Sequence, residues 1–158
     1  MDNARGRTDE RSSKGSIGRR TTVNIDLARA ALAAQPFSVL LGTRLVEYGP
    51  SGVTMELDVR PELLQQHGYV HGGVLSYLVD NAITFAAGAV LGPEIVTSSI
   101  TVEYLRPALA DLSVHAWVEH TGRTRAVARC DVTTRTTDQV VCAIGHGSAM
   151  ARRSGTPL

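Results

Sequence analysis

The chain has 158 residues, a formal charge of +1, and 43% hydrophobic against 20% charged residues. That length suits one domain with a real core, and so balanced a charge gives no electrostatic case for nucleic acid or a membrane surface as partner. Cys130 and Cys142 lack metal-ligand spacing and are too few for a disulfide framework. No charged start leads into a long apolar core, so neither a leader nor a membrane span is expected, and a cytoplasmic location is.

Residues 1–22 are rich in Arg, Ser, Thr and Gly without a hydrophobic period, which predicts a disordered tail. The domain is expected over 23–153, with 154–158 as a short C-terminal tail. From Asn24 a short helix is predicted: Asn24 or Asp26 can cap it, and Ile25, Leu27, Ala28, Ala31 and Leu32 form its apolar stripe. Pro36 is expected to end it. Val39 to Tyr48 then reads as a strand, Gly49 to Gly52 as a turn, and Val53 to Arg60 as the returning strand. In that last run Val53, Met55, Leu57 and Val59 alternate with polar residues, so one face belongs in the core.

A polar connection, Pro61 to Tyr69, leads into the stretch on which the rest depends, Val70 to Val90. It opens with His71, Gly72 and Gly73 and continues almost without polar residues. A helix apolar nearly all round belongs inside a protein. Its bare start offers uncovered backbone N–H groups and the positive end of the helix dipole, a ready site for developing negative charge. Asp80 interrupts its middle, beside Asn81, with Ser76 and Thr84 one turn away. A carboxylate buried there would cost several kcal/mol without a partner. Gly92-Pro93 closes the helix. Four strand-like runs follow: Ile95 to Leu105, Leu112 to Thr121, Arg125 to Thr134 and Gln139 to Met150. Their connections are short, as in antiparallel hairpins. Six antiparallel strands wrapped around one long central helix make an α+β architecture.

The string GYVHGGVLSYLVDNA, followed by TSSITVEYLRPA, resembles the hotdog-fold acyl-CoA thioesterases, in the branch of PaaI and acyl-CoA thioesterase 13. The resemblance covers about Pro36 to Ala151. It implies that Gly72 N–H polarises a thioester carbonyl and that Asp80 serves as general base or nucleophile. Where the family usually has asparagine, six residues before the histidine, this chain has Gln65; its amide is the expected substitute. The resemblance also implies a hydroxyl one turn past the acid, Thr84, and another on the next strand, Thr97 or Ser98. His71 and Gly73 are expected to shape the binding site at the helix start. Arg123 and Arg125 lie where relatives place residues near the phosphates of coenzyme A. No cofactor and no metal are implied.

An α-helix rises about 1.5 Å per residue, so Asp80 lies about 12 Å along the axis from Gly72. One chain therefore cannot bring its own acid to its own helix start. Two antiparallel copies across a two-fold axis can, and the family is dimeric with shared sites, so a homodimer, or a dimer of dimers, is expected. The partner is then an acyl-CoA. Small residues late in the helix (Ala86, Ala87, Gly88 and Ala89) either leave room for a medium- or long-chain acyl group or simply pack on the strands. The competing readings are an aryl-CoA thioesterase, a dehydratase of the same fold, and a sensor that binds acyl-CoA without cleaving it. Against the dehydratase, no second acid or histidine follows Asp80 on its helix. Against the sensor, the tail is too short and too polar for a DNA-binding module.

Overall fold

A computed structural model describes residues 24–152. The tails expected over 1–22 and 154–158, with residues 23 and 153, lie outside the described residues. The chain runs α1 (Ile25–Ala33), α2 (Pro36–Leu41), β1 (Arg44–Gly49), β2 (Gly52–Leu57), a 3₁₀ turn (Pro61–Leu63), α3 (Gly72–Leu91), β3 (Ile95–Tyr104), β4 (Leu112–Thr121), β5 (Arg125–Thr134) and β6 (Val141–Ala151). The six strands form a single sheet in the order β1-β2-β4-β5-β6-β3, every neighbour antiparallel. Helix α3 packs against all six strands. This is the α+β arrangement expected from the sequence.

Each element has a local cause. Asn24 caps α1 through its side-chain oxygen, which accepts from Asp26 N–H at 2.8 Å and Leu27 N–H at 3.4 Å. The strand expected over Val39–Tyr48 is a correction: its first part is helix α2, and β1 begins only at Arg44. Pro36 does not merely end α1; it starts α2 as its first residue, where its fixed φ suits a helix and its missing N–H costs nothing. Gly42 closes α2 in the left-handed conformation, φ 77°, which a residue without Cβ adopts freely.

Alternation then builds the core. Val53, Met55 and Leu57 of β2, Leu112, Val114 and Ala116 of β4, and Ala128, Cys130 and Val132 of β5 are all buried. They belong to one cluster with Leu78, Val79, Ala82 and Ile83 of α3. Each large side chain fully buried there contributes about 1.5–3 kcal/mol. The 20-residue α3 has the length and apolarity of a membrane span, mean hydropathy 1.6, because the sheet wraps it and buries more than half of it. Both cysteines are free and buried, as expected. Burial, and then the charge of Asp131, push the Cys130 thiol up to about 12.

Helix and sheet approach closely at Gly145 of β6. A Cβ there would collide with Val79 Cγ1 and fall 2.6 Å from Cys130 Sγ. Gly145→Ala should therefore overpack the core and lower stability by about 1–3 kcal/mol, read as a lower midpoint in urea. An unchanged midpoint would contradict so close a helix–sheet approach.

Candidate active site

Two features of α3, about 12 Å apart along its axis, make up the site in one chain. The first is its start. His71 is the N-cap: its ring Nδ1 accepts from Gly73 N–H at 2.9 Å, which places the ring proton of a neutral His71 on Nε2. The loop before it is pinned by Val70 N–H to Ala108 O (2.9 Å) and His71 N–H to Leu63 O (2.8 Å), and Val74 N–H closes the first turn on His71 O at 2.9 Å. With Gly73 N–H committed to His71, the open donor is Gly72 N–H, which meets no acceptor among the described residues. His71 thus orients the helix start, and Gly73 serves the cap.

The second feature is Asp80. The sequence led us to expect a buried acid; the structure leaves it only partly buried, because this face of α3 borders an open cleft. The cleft, about 320 Å³, is lined by Phe37 and Ser38 of α2, Tyr77, Asp80, Asn81 and Thr84 of α3, and Ile95 to Thr97 of β3, together with Gln35. Thr97 donates to Asp80 Oδ1 at 2.6 Å. Thr84 donates to the main-chain oxygen of Asp80 at 2.8 Å, and the Thr84 and Thr97 hydroxyls lie 2.9 Å apart. Asp80 Oδ2 has no donor among the described residues, so one carboxylate oxygen is held and the other is open. Ser76 is not a partner of Asp80. Of the two hydroxyls left open by the sequence, Thr97 reaches the acid. The β3–β6 register shifts between Thr97 and Ser99, and Ser98 falls in that irregularity.

Other predicted residues lie elsewhere. Gln65 is partly buried in the loop before α3, and its Oε1 accepts from His67 N–H at 2.5 Å. The amide oxygen is used within its own turn, and the NH₂ group has no partner among the described residues. Arg123 is exposed in the β4–β5 turn; Arg125 opens β5 and reaches Met150 Sδ at 3.5 Å. Neither lines the cleft beside Asp80. Of the small residues late in the helix, Ala86 and Ala87 are 1% and 0% exposed and pack on the sheet.

Sequence reading missed two groups. One is a hydrogen-bonded chain on the cleft wall: Asn81 Nδ2 donates to Tyr77 OH (3.0 Å), Tyr77 to Ser38 Oγ (2.8 Å), and Ser38 to Gln35 Oε1 (2.6 Å). Tyr77 also meets Phe37 edge-on, ring centroids 5.3 Å apart. The other is Tyr104, whose hydroxyl sits on the first turn of α3. The contacts that join elements, Tyr77 to Ser38 and Tyr104 to α3, have no short-range signal, since their partners lie 28 to 39 residues apart.

Known proteins are similar to this chain in sequence and in fold. The model of the thioesterase superfamily matches residues 67–141, from the loop before α3 to the start of β6. Human acyl-coenzyme A thioesterase 13 is 30% identical over 125 residues, covering 77% of this chain and 89% of that protein. The chain belongs to the thioesterase superfamily. A candidate esterase of Mycobacterium tuberculosis is 46% identical over 54 residues, and the match spans 34% of this chain but only 39% of that protein. The structure of Escherichia coli PaaI, at 23% identity, shares the fold, with a TM-score of 0.74 over 82% of this chain and 93% of that one.

Proposed function

We propose that this member of the thioesterase superfamily hydrolyses an acyl-CoA to free acid and coenzyme A, as a homodimer with two shared sites. The observation that carries the proposal is the half-held carboxylate: Thr97 fixes Asp80 Oδ1 and leaves Oδ2 open at the edge of a cleft. A fixed carboxylate with one free oxygen is equipped to take a proton from water or to attack a carbonyl. The complementary group, Gly72 N–H, belongs to the second copy. Its place is where the thioester oxygen gains charge, and a preorganised donor is worth most at that point. Gln65, its amide oxygen already engaged, has its NH₂ group to offer the same oxygen.

The chemistry balances by either route. As base, Asp80 takes a proton from water while the hydroxide adds to the carbonyl carbon. The C–S bond then breaks, and the CoA thiolate recovers that proton. As nucleophile, Asp80 forms an acyl anhydride with loss of the thiolate, and water cleaves it. Pairing of two copies has support in β3, which ends the sheet with one long side unpaired and eight of its ten residues exposed. An open edge of that length is a template for a second chain. The apolar side chains of Phe37, Ile95 and Val96 along the cleft support a medium- or long-chain acyl group.

Thiol release from short, medium, long and aryl acyl-CoAs tests this. Turnover greatest with the medium or long chains is expected. Tight binding of an acyl-CoA without any thiol release would overturn the assignment in favour of a sensor.

A further inference from the structure

Tyr104 closes β3 and is 53% exposed in the single chain. Its side chain nevertheless reaches the start of α3. The hydroxyl donates to the main-chain oxygen of Gly72 at 3.1 Å and lies 2.5 Å from Ser76 Oγ, whose proton it can accept. The ring lies over Gly72 closely enough that a Cβ there would touch it at 3.5 Å. The carbonyl that Tyr104 holds belongs to the Gly72–Gly73 peptide, and the N–H of that same peptide donates to His71 Nδ1. One peptide plane is therefore pinned at both ends, by a phenol on one side and an imidazole on the other.

The neighbouring plane carries Gly72 N–H. What links the two planes is the φ and ψ of a glycine, the residue least able to hold a direction by itself. We propose that Tyr104, backed by Ser76, is a positioning residue: through the Gly72–Gly73 peptide it fixes the direction in which Gly72 N–H points. The proposal rests on the thioesterase reading for its consequence, but the pinning of the peptide stands apart from it. A hydrogen bond that aligns a donor affects the transition state more than the ground state, so the effect belongs in kcat.

Tyr104→Phe keeps the ring over Gly72 and removes both hydroxyl contacts. We expect kcat to fall about tenfold with KM within about twofold of the parent, and Ser76→Ala to shift kcat the same way by less. The exchange rate of the Gly73 amide proton, read by NMR, should rise in Tyr104→Phe. A kcat equal to that of the parent would overturn the proposal, since a ring that only packs is fully replaced by Phe. If the parent releases no thiol from any acyl-CoA, the thioesterase reading falls. The Gly73 exchange rate then decides the role of Tyr104 alone: faster exchange in the variant supports it, and an unchanged rate overturns it.

Discussion

Asp80→Asn should lower acyl-CoA turnover by roughly 10²- to 10⁴-fold, the range that a positioned base contributes. The side chain keeps its shape, and its remaining carbonyl oxygen can still accept from Thr97, which now holds Asp80 Oδ1 at 2.6 Å. Thr84 bonds the main-chain oxygen of residue 80, so that contact is untouched as well. Only the ability to take a proton or attack a carbonyl is lost. Melting temperature and dimer content should match the parent. Turnover near that of the parent would remove Asp80 from the mechanism.

Gly72→Pro makes the complementary cut, because it deletes an N–H rather than a side chain. Proline is well suited to the first residue of a helix. His71, just before it, already has φ −61° and ψ 135°, the extended geometry that proline imposes on its predecessor. Gly72 N–H has no acceptor to lose among the described residues, and a Cβ at this position makes ordinary contact with the Tyr104 ring. Stability should change by no more than about 1 kcal/mol, while kcat falls roughly 10²- to 10³-fold, as when one donor to an oxyanion is removed. A folded Gly72→Pro protein with undiminished kcat would show that the donor is not used.

How far the sequence foretold this depended on the range of the interactions involved. Helix α3 was visible in its apolar run between the HGG triplet and Gly92-Pro93, and β4 and β5 fell on the predicted residues because alternation and short turns are local signals. Helix α2 was not seen, because Val39, Leu40 and Leu41 read as well for a strand. Pro36 at its start and Gly42 at its end were the available markers of a six-residue helix. That His71 shapes the helix start was expected from its place before the two glycines; that it does so as the N-cap, through Nδ1, is seen only in the structure. The exposure of Asp80 was not expected: which side of an all-apolar helix borders a cleft is set by α2 and β3, elements distant in the chain. Thr97 rather than Ser98 reaches the acid, beside a register shift in the β3–β6 ladder, and residue patterns do not show where such a shift falls. Tyr104 meets Gly72 across 32 positions, beyond any periodicity.

The central claim is that each site draws Asp80 from one copy and Gly72 from the other, and mixing tests it most directly. Asp80→Asn and Gly72→Pro chains, each nearly inactive alone, would be unfolded together and refolded as a mixture. In a mixed dimer one site collects both substitutions and the other collects neither. Random pairing of equal amounts should thus restore about a quarter of the parent activity per chain. If acid and donor of a working site came from the same chain, every site would carry one lesion, and the mixture would stay as inactive as its parts.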